Sequence, residues 1–579
     1  MPTASRTTRM RWAECQSARS SVRLSDAALL PSYTAAGGSN SGVVAPAAMD
    51  RSPISPRRPS PCARKSACSP GGSSLCRCTC FCTRWPPEAS PLPPFACRCG
   101  HDSCQQSEFA SGNFKILLSK FTRRARWNFY PCVPNVLRIV GPFAMTEPNA
   151  FATWIASQAQ RSIAAMEHAI SATNLTRRRE NFGQVIVPAK GSVLASPVVA
   201  DWDPEPDYFF HWLRDSAIVM RVVAALMRDG ATEHERARWR RHFDDFVTFS
   251  LALSKLDGAE LVMHGRYRQA ARHGFRKFLR PDAEVRTLAG DILLGEPRFN
   301  PDGTIDVFRW SRPQYDGPAL RALACLHYLN AGGPPSDALA ALLRLDLRFT
   351  VRHAGRRCIG PWEEPGQNTH HYYVALVQLG ALVHGRAFAD DAGAWNGAEQ
   401  KLRVALARHW SEPHRVYTAI RPAAGDRADD LIDAAQMLAV LDADLPDGPH
   451  SVLDPRVHET IDAIEDFFAR EFTINRGRAA PALGRYKGDR YFGGGAWYPT
   501  TLAAAALCYR RARQPGQDRA GLRARGEAFM ATVRALTPAD GALSEQVDRA
   551  SGAQASARHL TWSYAAFIAA ARERALALA

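Results

Sequence analysis

The chain has 579 residues and a formal charge of +17, long enough for one large domain with extensions or for several smaller ones. A surplus of that size suggests a nucleic-acid or membrane binder, but residues 1–144 hold 19 of the 73 Lys and Arg and 6 of the 56 Asp and Glu, leaving +4 for the rest. The body is thus near-neutral, no apolar run reaches the roughly 18–20 residues that span a bilayer, and neither a nucleic-acid nor a membrane partner is expected.

Residues 1–144 are rich in Arg, Ser, Pro and Cys and show neither a helical nor a strand period, which predicts disorder. The run CRCTCFC in this segment lacks the paired C-x2-C spacing of zinc modules and has no following His pair, so no metal site is expected there. Met145 opens MTEPNAFATWIASQAQRSIAAMEHAI, where helix signals begin at once. It is read as the true start, with residues 1–144 a disordered or spurious leader and 145–579 a single domain. Neither Met1 nor Met145 is followed by a secretory signal. Cys325, Cys358 and Cys508 are too scattered in the body for a disulfide framework, which favours a reducing, cytoplasmic compartment.

After a short strand pattern near residues 184–199, amphipathic helix dominates. In DSAIVMRVVAALMRDG the apolar Ile218, Val222, Ala225 and Leu226 share one face, Asp215 or Ser216 can cap the start and Gly230 can end it. DGPALRALACLHYL follows with Pro318 near its first turn, then HYYVALVQLGALVHGRAF, DDLIDAAQMLAVLD, RVHETIDAIEDFFAR, TLAAAALCYRRA and TWSYAAFIAAARERALA. Long Gly, Pro and aromatic loops such as 296–317 and 474–500 separate them, and loops of that length in a helical body are usually functional. The pattern predicts an all-α toroid with its loops on one face, although periodicity alone does not separate a toroid from a solenoid.

Four loop motifs hold the chemistry: PDYFFHWLRDSA, WSRPQYDGPALRA, WEE at 362–364, and LSEQVDRASGAQASARHLTWSYAA. Taken singly, each has a plain reading as helix-start charge or core tryptophan. Together they fit a sugar site: one carboxyl kept protonated for a leaving oxygen, a second ionised to activate water, indoles to stack on sugar faces, and Arg and Asp to bond several hydroxyls. Adjacent Glu363 and Glu364 suggest that an ionised neighbour and burial under tryptophan raise the pKa of one acid. His370 and His371 are adjacent and diverge on a helix, which favours a structural or hydroxyl-binding role over metal binding.

The order and wording of these motifs, from about Ser196 to Tyr564 and including RYKGD and AWYPTTLAAA, resemble the glucoamylases, the inverting glucan 1,4-α-glucosidases. The resemblance implies an (α/α)6 barrel with Glu363 as general acid, Glu364 beside it contacting substrate, and Glu545 as general base. It further implies Tyr208 and Ser556 as groups orienting that base and its water, and Arg214 and Asp215 as the grip on the terminal glucose. Arg485 is implied as a further sugar-binding arginine, and Trp212, Trp310, Trp497 and Trp562 as pocket aromatics. The implied activity is exo-hydrolysis of α-1,4-linked malto-oligosaccharides or glucans by a monomer, with no cofactor and no metal. Trehalose or isomalto-sugars as substrate, or a non-catalytic carbohydrate-binding toroid, are the alternatives. Tyr315 stands where the family carries a basic residue, PGQNTHH replaces a small-residue loop, and YFGGGAWYP lacks the usual asparagine; all three are expected on the leaving-group side. The chain ends about fifteen residues after the last motif, so a starch-binding module is not expected.

Overall fold

A helix that is apolar on nearly every face is stable only when other helices surround it. The computed structural model describes residues 150–201, 204–421 and 427–579. The long helices among them are α1 Ala150–His168, α2 Leu213–Asp229, α3 Glu233–Leu253, α4 Asp316–Asn330, α5 Asp337–His353 and α6 Tyr372–Gly385. The second half adds α7 Ala392–Ala407, α8 Ala435–Ala443, α9 Pro455–Glu471, α10 Tyr498–Ala512, α11 Arg519–Leu536 and α12 Thr561–Leu578. The expected leader and its CRCTCFC run lie outside the described residues.

The even-numbered helices are the apolar ones, and they form the inner layer. α2 packs on α4, α4 on α6, α6 on α8, α8 on α10 and α10 on α12, and α12 returns to α2. That last contact closes a ring. The odd-numbered helices pack outside it, α1 on α12, α3 on α2, α5 on α4, α7 on α6, α9 on α8 and α11 on α10. The architecture is an (α/α)6 toroid, and a buried core of Ala, Leu, Val and aromatic side chains runs through it.

The two layers start their helices differently. In the outer layer a side chain caps each of α3, α5, α7, α9 and α11: Thr232, Ser336, Asp391, Asp454 and Asp518. In none of the six inner helices does the N-cap residue's own side chain cap the start, and only α8 has a side chain nearby that does so, Asp433 accepting the Ala435 N–H at 2.7 Å. Loop carbonyls take several of their first N–H groups instead: Leu213 donates to Pro297 (3.0 Å), Tyr372 to Ala419 (2.8 Å) and Thr561 to Ala195 (2.8 Å). These bonds tie the long loops to one end of the ring, where six positive helix ends converge. The expected Asp215 or Ser216 cap is corrected accordingly: α2 begins at Leu213, which puts both residues inside its first turn.

Strands are short and serve the loops. The predicted strand near 184–199 shrinks to a hairpin of Arg177–Arg179 with Gln184–Ile186. Pro188 cannot donate to a ladder, and Gly191 turns the chain at φ +87° so close to α3 that a Cβ would lie 2.1 Å from the Asp245 carbonyl. Two further ladders matter for the site. His211–Trp212 pairs with Arg298–Phe299, and Ala496–Trp497 pairs with Gln546–Val547, which pairs in turn with Gln554–Ala555. Within the ring the inner helices surround a cavity of about 630 Å³ that runs from their C-terminal ends up to Pro499 and Trp562. Its arginines are paired with acids or helix-end carbonyls, as in Arg221–Asp442 and Arg510–Asp444. No described helix is long and apolar enough to cross a membrane.

Candidate active site

Each inner helix is preceded by a loop that brings polar residues to the same end of the ring. Glu363 occupies the loop before α6, at φ +59°, a left-handed conformation that costs a residue with a side chain. The RPQ segment holds this loop in place: Ile359 N–H donates to Pro313 O (2.8 Å) and Gln314 Nε2 to Gly360 O (2.9 Å). His371 closes it from behind, its Nε2 bonded to Gln367 O at 2.9 Å and its ring so near Gly360 that a Cβ there would meet it at 2.5 Å. The Glu363 carboxylate then accepts from the Trp212 indole (2.9 Å), from the Trp310 indole, and from Arg214 Nη2 (3.1 Å).

Glu364 turns the other way, and this corrects the expectation that the two adjacent acids act on each other. Tyr486 donates its O–H to Glu364 at 2.6 Å and Arg485 stands 3.4 Å away. The carboxylates facing the Arg214 side of Glu363 are Asp215 and Asp316. Arg485 is buried, clasped through two nitrogens by Asp489 (2.6 and 2.7 Å), and lies against Trp362, Tyr491 and Trp497.

Glu545 immediately precedes the strand that pairs with Trp497. Only 3 % exposed, it accepts hydrogen bonds from Tyr208 (3.1 Å) and Ser556. Burial pushes its carboxyl up to about 7 despite those two donors and nearby Arg485, and the charge of Asp215 adds to the rise. Tyr208 also shares a 2.8 Å hydrogen bond with Tyr491, and its ring packs 5.2 Å from that of Trp212. A short chain of contacts, Glu545–Tyr208–Trp212–Glu363, therefore joins two acids 182 positions apart in sequence.

The remaining predicted residues complete one pocket. Arg214 reaches Asp215 at 3.4 Å and lies 5.8 Å from the Trp562 ring. Trp562 is 6.5 Å from Trp497, whose buried indole N–H has no hydrogen-bond partner. All twelve predicted residues thus converge at the loop end of the ring, and the large cavity within the ring includes neither acid.

The family model for glycosyl hydrolases family 15 matches residues 180–572, most of the chain. The chain belongs to glycosyl hydrolases family 15. Among family 15 relatives, glucoamylase-1 of Schizophyllum commune is 28% identical over 442 residues, 67% of this chain and 69% of that protein. The solved glucoamylase of Hormoconis resinae superposes with a TM-score of 0.59 at 23% identity, covering 74% of both chains. That of Saccharomycopsis fibuligera gives 0.58 at 21% identity, covering 74% of this chain and 96% of the other. The protein is an O-glycosyl hydrolase of the glucoamylase class.

Two of the departures from the family pattern have a packing context in the structure. Tyr315 is half-buried and packs on Phe349 and His353, against α5. The glycines of YFGGG answer to close approach: a Cβ on Gly494 would lie 1.9 Å from Asp489 O, and one on Gly495 2.2 Å from Val547 O. Only glycine lets this loop bring Tyr491 to Tyr208. Arg558 lies at the surface, paired with Glu205.

Sequence reasoning missed the family 15 site's rigid backing. Arg298 is buried with its guanidinium 3.7 Å from the Trp310 ring and 4.9 Å from Trp212, the two indoles that hold Glu363. Asp306 fixes Arg298 at 2.8 Å and also takes Arg312 at 3.2 Å; Glu296 takes Arg312 and Arg280. The alternation of Arg and acid between 280 and 312 was the available signal. Asp433, which accepts the Trp362 indole N–H at 2.9 Å, was also missed; burial pushes its carboxyl up to about 6.

Proposed function

We propose that this protein hydrolyses α-1,4-linked malto-oligosaccharides or glucans from their non-reducing ends, releasing β-D-glucose by inversion. The observation that carries the proposal is that two acids, linked through Tyr208 and Trp212, stand together at the loop end of the ring. Glu363 sits among N–H donors beside Arg214, while Glu545 is enclosed by two hydroxyl donors that can also orient a water. In this reading the terminal glucose takes Arg214 and Asp215 with its hydroxyls and stacks against the indoles. Glu363 gives a proton to the glycosidic oxygen as that bond breaks. Glu545 removes a proton from a water attacking the anomeric carbon from the opposite face. Inversion by this route needs the two carboxyl groups roughly 6.5–9.5 Å apart, leaving space for the water.

The test is glucose release across maltose, maltotriose, isomaltose and trehalose. Release should be fastest from the maltose series. Faster turnover of trehalose or isomaltose would reassign the linkage, and binding of maltotriose with no glucose released would overturn the catalytic reading.

A further inference from the structure

Three buried carboxylates crowd one guanidinium at the centre of the site. Arg214 stands 3.1 Å from Glu363, 3.4 Å from Asp215 and 3.6 Å from Asp316. Asp316 is the unexplained member. It has no solvent exposure, and neither of its oxygens receives a hydrogen bond. As the first residue of α4 it is faced by the backbone N–H groups of Asp316 and Gly317 as well as by Arg214. Arg214 Nη1, the nitrogen directed at it, also lacks a hydrogen-bond partner.

One positive charge among three negative ones is unfavourable in a dry site, so such a cluster retains a proton where isolated carboxylates have lost theirs. Burial pushes both Asp215 and Asp316 up to about 6; Arg214 opposes the rise and the Glu363 charge adds to it. The other ionisable groups facing the cluster are Tyr373 on α6, Cys358 in the loop before it, Asp442 on α8, Glu545, Tyr208 and Tyr491. All of these are neutral or acidic, and Tyr373 is committed to Asp442 at 2.9 Å. They bring no second counter-charge.

We propose that Asp316 is a positioning residue for the reaction: by sharing the counter-charge of Arg214 with Asp215, it keeps in the cluster the proton that Glu363 delivers. This rests on the reading of Glu363 as proton donor and adds what keeps it charged with a proton. When a glucosyl unit draws Arg214 to its hydroxyls, Glu363 loses its cation, and an ionised Asp316 disfavours a second bare carboxylate in the cluster. The proton passes to the glycosidic oxygen as the C–O bond breaks, and Glu363 recovers one from solvent after the sugar leaves.

The test is kcat against pH, at saturating substrate, for the full chain and for Asp316→Asn, with maltose and with α-glucosyl fluoride, whose departing fluoride needs no protonation. Removing a negative neighbour takes away electrostatic support for the proton held in the cluster. The alkaline limb for maltose should move down by about one unit, a loss of roughly tenfold on its alkaline side, while the fluoride profile keeps its limb. An unmoved limb, or an equal loss for both substrates at every pH, would overturn the proposal. If Asp316→Asn does not fold, Asp316→Ser removes the same charge and is read identically. If the unaltered chain releases no glucose from maltose, the reading of Glu363 falls; if it does and the limb stays put, only the role of Asp316 falls.

Discussion

The enclosed carboxyl of Glu545 makes protonation a property of the fold as well as of the reaction. Its folded-state value of about 7 lies above that of an exposed glutamate near 4.5. The stability this contributes is therefore complete below about 4.5 and lost as pH rises through 7. Glu545→Gln removes the dependence. Its melting temperature should gain on that of the unaltered protein between pH 5 and pH 8, by the equivalent of up to about 3 kcal/mol. Circular-dichroism melts at the two pH values measure it. In the proposed reaction the same residue has to lose its proton, and Ser556 and Tyr208 are the donors that favour the ionised form. Ser556→Ala should move the acid limb of kcat/KM to higher pH, read from initial rates on maltose. Glu363→Gln and Glu545→Gln should each lose about 10²–10⁴-fold in turnover while remaining folded.

At the scale of elements, capping divides the molecule into a structural layer and a functional one. Thr232 and Glu235 form a complete capping box at the start of α3. Thr232→Ala should cost about 1 kcal/mol of stability and leave kcat/KM unchanged. Gly495→Ala, at the opposite end of the functional scale, forces a Cβ against Val547 O beside Glu545. It should lower both melting temperature and activity, measured side by side in one preparation. The same division explains what could be read in advance. The inner helices announce themselves as near-continuous apolar runs such as YYVALVQLGALV, whereas α3, α5, α7 and α11 carry dense charge on their solvent faces and hid their period. The Thr-x-x-Glu box of α3 was a usable signal. Asp215 was misread as a cap because a tryptophan held by a β-ladder starts that helix.

Ring closure belongs to the whole molecule, and local pattern cannot supply it. It depends on α12 meeting α2, segments separated by more than 300 residues, and on α1 packing outside α12. The site residues were legible because the loop motifs are long and distinctive. Their pairing was not: which acid faces Arg214 and which faces Arg485 follows from the positive φ of Glu363, and the buried stack behind Trp310 follows from a loop fold with no local period. If residues 145–579 form the catalytic domain, a chain beginning at Met145 should fold and keep the full chain's kcat/KM. A loss of more than about half would show that earlier residues contribute. The account as a whole turns on water attacking the face opposite the leaving sugar, with Glu545 as its base and Glu363 as the acid. Proton NMR of freshly released glucose from maltotriose, recorded before mutarotation, tests this most directly. The β-anomer should appear first; initial release of the α-anomer would contradict it.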